Sequence, residues 1–128
     1  MVAPNIKNVQ NLNVFEIQNE IKHLVDKSNK GLLTKQDLQG GNAALSNVGT
    51  LAGRYSNPIN LPGQAIIVGI GRKTQEYVLD KHGKVREREF LRMSFGCDHR
   101  VLDGASVARF CLSWEKLMQP EQMIAYLR

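Results

Sequence analysis

An acid, an imidazole and a guanidinium stand side by side at Asp98, His99 and Arg100, and the run "CDHRVLDG" (97–104) closes on Asp103 and Gly104. An imidazole can accept and return a proton near neutral pH, which makes His99 the candidate proton carrier. An Asp98–Arg100 pair across the loop would clamp its conformation. Asp103, just ahead of a helical pattern, would cap that helix or accept the hydrogen bonds that fix the turn. Gly104 would permit a backbone geometry that a side chain forbids. The plainer reading of so dense a charged run is a solvated surface turn carrying an incidental histidine.

Two other residues invite chemistry. Cys97 is two positions before His99, and in an extended segment both side chains would point the same way, allowing a Cys–His nucleophile pair. The plainer role for Cys97 is a small buried hydrophobe at a strand end. Ser46, in "LSNVG", has a hydroxyl able to donate to an oxyanion; a serine at a strand end more often satisfies local backbone. "GIGRK" (69–73) lacks the third glycine of a dinucleotide fingerprint and is negligible as a cofactor motif.

These residues need elements to hold them. "NVFEIQNEIKHLVDKSNKG" reads as a helix, with Asn13 and Glu16 as a capping box, an apolar stripe of Val14, Ile17, Ile21, Leu24 and Val25, and Gly31 as the stop. "TKQDL" (34–38) reads as a short capped helical turn. Residues 42–49 are a short strand candidate bearing Ser46 near its end, and the Gly/Asn/Pro-rich segment 49–63 is a loop. Residues 64–73 read as a buried strand. A second strand begins at Thr74, a turn falls at Lys81–Gly83, and a long strand follows in which Phe90/Arg92 and Leu91/Met93 alternate. After the 98–104 loop, "ASVARFCLSWEKLM" is an amphipathic helix ended by Pro120, with a last helical turn beyond. "VAPNIKNV" looks like the tail of a strand with no earlier element to pair with. The expectation is a single α/β domain, an open mixed sheet with covering helices.

Composition narrows the function classes. The chain has 128 residues, 42% of them apolar and 23% charged, which suits one globular domain with a core. Apolar runs such as "AIIVGI" (65–70) are too short to span a membrane, and the N-terminal residues resemble neither a signal nor a transit peptide. Two cysteines, Cys97 and Cys111, form no disulfide framework, and no Cys/His spacing suggests zinc or another metal. The formal charge of +5 comes from scattered lysines and arginines without a basic run or a stacking aromatic series, which argues against nucleic acid. A mild positive field suits a phosphorylated small molecule or an acidic partner domain.

Taken together, these segments resemble the C-terminal part of the catalytic domain of the dihydrolipoamide acyltransferases, the cores of 2-oxo acid dehydrogenase complexes. "DHRVLDGA" looks like the family's DHR-x-x-D-G motif, whose H-x-x-x-D-G form also occurs in chloramphenicol acetyltransferase and condensation domains. "DLQGGNAALSNVG" is similar to its D-L-x-G-G-T-F-T-I-S-N-x-G, and "VAPNIKNVQNLNVFEI" to its V-x-P-x-I-x-[ND] entry. "GRYSNPINLPGQAII" and "DHRVLDGASVARF" look most like the branched-chain member. Departures are Asn42-Ala43-Ala44 for T-F-T, Gly63-Gln64 for Pro-Glu and Leu51-Ala52 for I-G-G.

The resemblance implies a chloramphenicol-acetyltransferase-like mixed sheet, here only its C-terminal half, with residues 1–128 a partial catalytic domain lacking lipoyl and subunit-binding domains. It implies His99 as general base toward the thiol of coenzyme A, Ser46 as oxyanion donor and Asp103 as support, with Asp98, Arg100 and Gly104 behind them. It implies a trimer-based homo-oligomer whose site lies between subunits, so that His99 and Ser46 come from different chains. A lipoyl group carried on another domain, and decarboxylase and dihydrolipoamide dehydrogenase components, complete the implied partners. The compartment is the mitochondrial matrix in a eukaryote or the cytoplasm in a bacterium. Two rival readings stand beside this: a non-catalytic assembly module that keeps the trimer-forming half, and a Cys97–His99 thiol hydrolase.

Overall fold

The computed structural model describes residues 2–51 and 53–126. The chain divides into two compact units, one formed by Met1–Gly41 with Gly104–Arg128, the other by Asn42–Asp103.

In the first unit, α1 (Val14–Asn29) starts where the sequence puts it. Asn13 Oδ1 accepts from Glu16 N at 3.0 Å while Glu16 Oε2 accepts from Asn13 N at 2.7 Å, a complete capping box. Its end is a Schellman motif: Gly31 takes φ +68°, Gly31 N donates to Ser28 O (3.1 Å) and Leu32 N to Lys27 O (2.8 Å). A second capping box, Thr34 with Asp37, opens the short α2 (Lys35–Leu38). Lys27 Nζ reaches Asp37 Oδ2 at 2.6 Å, tying α2 to the last turns of α1. This hydrogen bond, with those from Thr34, holds the Asp37 carboxyl well below the usual carboxylate range. The same unit carries α3 (Gly104–Leu117) and α4 (Pro120–Tyr126).

The N-terminal segment is not the expected strand tail. Among the described residues it joins no sheet. Asn5 N donates to Asp37 O (2.8 Å), Lys7 Nζ to Asn5 Oδ1 (2.6 Å) and to Gln39 O, and a short 3-10 turn covers Val9–Asn11. Pro4 has no N–H for a ladder, and Asn8, at φ 50°, breaks the extended run that the apolar pattern suggested.

The second unit is the expected mixed sheet, three strands in the order β1 (Ala43–Asn47), β2 (Ile66–Leu79), β3 (Val85–Cys97). β1 runs parallel to β2, and β2 antiparallel to β3. The two strands read at 64–73 and from Thr74 are one. An irregularity between Ile70 and Lys73 lets the ladder continue rather than stop. The hairpin turn lies where the sequence marks it, closed by Asp80, whose Oδ1 accepts from His82 N (2.8 Å) and Lys84 N (3.0 Å).

Among the described residues the buried apolar side chains are Leu24 in α1 and Val68 in β2. The stripe on α1 is therefore largely uncovered, with Val14, Ile21 and Val25 exposed, as are Phe110, Leu117 and Met118 on or after α3. The segment 64–73 is less buried than expected: Val68, Gly69 and Gly71 are buried, and Ile66, Ile67 and Ile70 are half-buried.

Candidate active site

β3 delivers the charged run to one end of the sheet. The ladder continues one residue past Cys97, Asp98 N donating to Ala65 O at 2.9 Å, and there the chain turns. Val101 N and Leu102 N both donate to Asp98 O at 2.9 Å. The Asp98 carboxylate closes the same turn: Oδ1 accepts from Arg100 N (3.0 Å) and Nε (2.9 Å), and Oδ2 from Nη2 (2.6 Å). This is the expected clamp. The Arg100 guanidinium and amide hold the Asp98 carboxyl down to about 2, so the clamp is charged at neutral pH.

His99 sits at the apex of this turn, exposed, and neither ring nitrogen finds a partner among the described residues. Asp103 ends the loop, exposed, immediately ahead of α3. Two expectations need correction. Gly104 does not adopt a backbone closed to other residues: it opens α3 outside the left-handed region, with open space where a Cβ would stand. The alternation that would align Cys97 with His99 also fails, because the extended segment stops at Cys97 and His99 lies in the turn.

Ser46 lies on β1, half-buried, with no partner for its hydroxyl among the described residues. It is in register with Gly69, which is in register with Ser94, so Ser46 and Ser94 share one face and one row with a glycine between them. Cys97 is in register with Ile66, three positions away along β2. At ~3.3 Å per residue and ~4.8 Å per strand, the Cα atoms of Ser46 and Cys97 are ~14 Å apart, with His99 further out. Within one chain Ser46 and His99 are not brought to a common point.

What the sequence reading passed over is the segment Gly53–Asn60, which crosses the β2–β3 face as a strap. Glycines in the strands make room for it. A Cβ on Gly69 would overlap the Ser56 hydroxyl and stand 3.0 Å from Ser94 Oγ; one on Gly71 would overlap the Arg54 carbonyl; one on Gly96 would lie 2.8 Å from Pro58 O. Ser94 Oγ donates to Ser56 O, and the two hydroxyl oxygens are 3.3 Å apart. Arg92 pairs with Glu76 at 2.5 Å while its guanidinium lies over the rings of Tyr55 (5.5 Å) and Phe90 (5.8 Å). Further along, the orientation that satisfies both ends of the Asn60 amide has it donating to Gly96 O (3.0 Å) and accepting from Asp98 N (3.1 Å). The strap thus touches the Ser46 row with Ser56 and the root of the His99 loop with Asn60. The signal is in the sequence: glycine inside a strand marks close backbone approach, and Gly69 and Gly71 both fall within the strand expected at 64–73.

Among the described residues, no group of three or more His, Cys, Asp or Glu is placed to hold a metal ion, and no helix is long and apolar enough to cross a membrane.

Residues 1–125 match the family described as 2-oxoacid dehydrogenases acyltransferase (catalytic domain). The chain is 39% identical, over its whole length and 27% of the relative's, to the mitochondrial lipoamide acyltransferase component of the branched-chain alpha-keto acid dehydrogenase complex of Arabidopsis thaliana. It superposes with a TM-score of 0.85 and 27% identity on the dihydrolipoamide acetyltransferase of Azotobacter vinelandii, covering 97% of this chain and 51% of that one; that structure addressed the roles of a serine, a histidine and an asparagine in catalysis. The cubic core of a pyruvate dehydrogenase multienzyme complex matches equally well, with a TM-score of 0.85, 26% identity and the same coverage. The chain thus spans about a quarter of the Arabidopsis relative and half of the solved chains.

Proposed function

The chain belongs to the family of 2-oxo acid dehydrogenase acyltransferase catalytic domains, and on that footing we propose that it contributes to moving an acyl group between dihydrolipoamide and coenzyme A. His99 takes the proton from the coenzyme A thiol as its sulfur attacks the thioester carbonyl of acyl-dihydrolipoamide. Ser46 donates its hydroxyl hydrogen to the oxyanion of the tetrahedral intermediate. As the carbonyl re-forms, the dihydrolipoamide sulfur leaves and His99 returns the proton to it. Asp98 and Arg100 hold the turn that presents His99, and Asp103 supports the loop where the chain enters α3.

The observation that carries this reading is the match in order and spacing. The Azotobacter serine and histidine are 52 residues apart, and its asparagine follows the histidine by four; Ser46 and His99 are 53 apart, and Asp103 follows by four. An aspartate here in place of the asparagine is the one change of residue type. The free imidazole and the unpartnered, half-buried Ser46 hydroxyl fit groups reserved for a substrate.

A site of this kind forms between copies of the chain in an oligomeric core, His99 from one and Ser46 from the next. The separation within one chain supports that arrangement, and so does exposed apolar surface beside β1, where Leu45 is 63% exposed. The Arabidopsis relative supports a branched-chain acyl group and a mitochondrial location. Lipoyl, decarboxylase and dihydrolipoamide dehydrogenase components are the partners that follow. The test is acyl transfer from acyl-coenzyme A to dihydrolipoamide, comparing wild type with His99→Ala. The expected loss is ~10²–10⁴-fold. Equal rates would remove the enzymatic reading and leave the assembly module.

A further inference from the structure

The strap's serine occupies a place that belongs, by register, to the catalytic row. Gly69 separates Ser46 from Ser94, and the position its side chain would fill is taken by the Ser56 hydroxyl. Three hydroxyls therefore stand in line across one face of the sheet, on β1, on the strap above β2, and on β3.

Each serine hydroxyl has one hydrogen to give and two lone pairs to accept with. Ser94 spends its hydrogen on the Ser56 carbonyl, so in the Oγ···Oγ contact with Ser94 it is Ser56 that donates. At 3.3 Å that contact is long for O–H···O. The Ser56 hydrogen is thus weakly held, and the other hydroxyl in its row is that of Ser46, whose strand lies one spacing of ~4.8 Å from the β2 backbone beneath Ser56. Ser46 has no other partner among the described residues. A rotation about χ1 of either side chain, or one water between them, closes that gap.

We propose that Ser56 is a positioning residue for Ser46: its hydroxyl donates to Ser46 Oγ, so that the Ser46 hydrogen is directed at the oxyanion. Donation into Ser46 also polarises it and strengthens the bond it gives. Ser94 fixes Ser56 through its carbonyl, and Gly69 and Gly71 admit the strap at this height. This rests on the proposed role of Ser46 as oxyanion donor.

The test uses the full chain with Ser56→Ala, Ser56→Thr, Ser46→Ala and the Ser46→Ala/Ser56→Ala double variant. Ser56→Ala should lower kcat about fivefold to tenfold, with KM for both substrates and the thermal midpoint unchanged, and Ser56→Thr should restore the rate. In the Ser46→Ala background, removing Ser56 should change kcat by less than about twofold, because its effect passes through Ser46. Wild-type turnover in Ser56→Ala, or the same loss in both backgrounds, overturns the proposal. A second arm needs no turnover. In Ser46→Cys, the pH profile of alkylation of the introduced thiol, located by peptide mass, should shift upward when Ser56 becomes Ala, because the thiolate loses a donor. An unchanged profile overturns the proposal. If wild type transfers no acyl group, the proposed function fails and the alkylation arm still decides the role of Ser56.

Discussion

Mixing two inactive variants separates a site built in one chain from a site shared between chains. The sheet register puts the Ser46 and Cys97 Cα atoms ~14 Å apart, with His99 beyond. A hydrogen-bonded network around a tetrahedral carbon needs donors within ~3 Å. No pair of rotamers of a serine and a histidine spans the difference while the ladders at Ala65 hold. His99→Ala and Ser46→Ala should each be nearly inert alone. In an equimolar mixture allowed to exchange chains, each shared site draws its histidine from one copy and its serine from the neighbour. About one site in four then receives both intact groups, so activity should recover to about a quarter of wild type. The assay is acyl transfer after co-refolding, with exchange verified by mass-tagged chains. An exchanged mixture that stays at the level of its parents refutes the shared site, because a site within one chain would find every copy lacking one group.

Other expectations follow from named contacts. Arg100→Gln removes the guanidinium that holds the Asp98 carboxyl down to about 2, and its value should rise toward the ordinary 3.8 by NMR titration. Because the folded-state value in wild type is depressed, the clamp's contribution is complete above about pH 4 and is lost as pH falls toward 2; protection of the Val101 and Leu102 amides should fade over that window, and at higher pH in the variant. Gly71→Ala forces a Cβ into the Arg54 carbonyl, which is backbone and cannot rotate aside, so thermal or denaturant unfolding should show a loss of ~1–3 kcal/mol; no loss would mean the strap does not cross there. Cys97→Ala should keep acyl transfer within about twofold of wild type, and an inactive but folded variant would restore the thiol nucleophile as a contender.

The parts legible in the sequence are those governed by neighbours in the chain. The capping boxes of Asn13–Glu16 and Thr34–Asp37, the Gly31 stop and the hairpin turn at Lys81–Gly83 each need residues only two to five apart, and all form where their residue types placed them. The Asp98–Arg100 clamp was readable for the same reason. What escaped depends on contacts at long range. The strap is fixed by Ser56 against Ser94 and by Asn60 against Asp98, each 38 residues apart, and a segment rich in Gly, Asn and Pro carries no periodicity to announce that. The N-terminal residues have a strand's apolar rhythm, yet Asn5 hydrogen-bonds to Asp37 at the end of a helix. Gly104 shows the opposite error: a glycine inside a charged motif invited a backbone argument that its open surroundings do not support.

The same long-range contacts suit the proposed shared site, in which neither chain holds a complete half-pair of its own. From the His99 turn, an unbroken line of backbone bonds runs inward, Asp98 N to Ala65 O at 2.9 Å and Ala65 N to Asn42 O at 2.7 Å, ending one residue before the strand that carries Ser46. The strap parallels that line through side chains, from Ser56 above the Ser46 row to Asn60 at the root of the turn. The backbones that carry His99 and Ser46 are therefore held at a fixed offset in each copy. In a shared site this is what catalysis requires. With the backbones that carry the two groups tied to one sheet within each chain, the variable that would decide a shared site is how two copies dock, and one docking geometry would then align every histidine with every neighbouring serine at once.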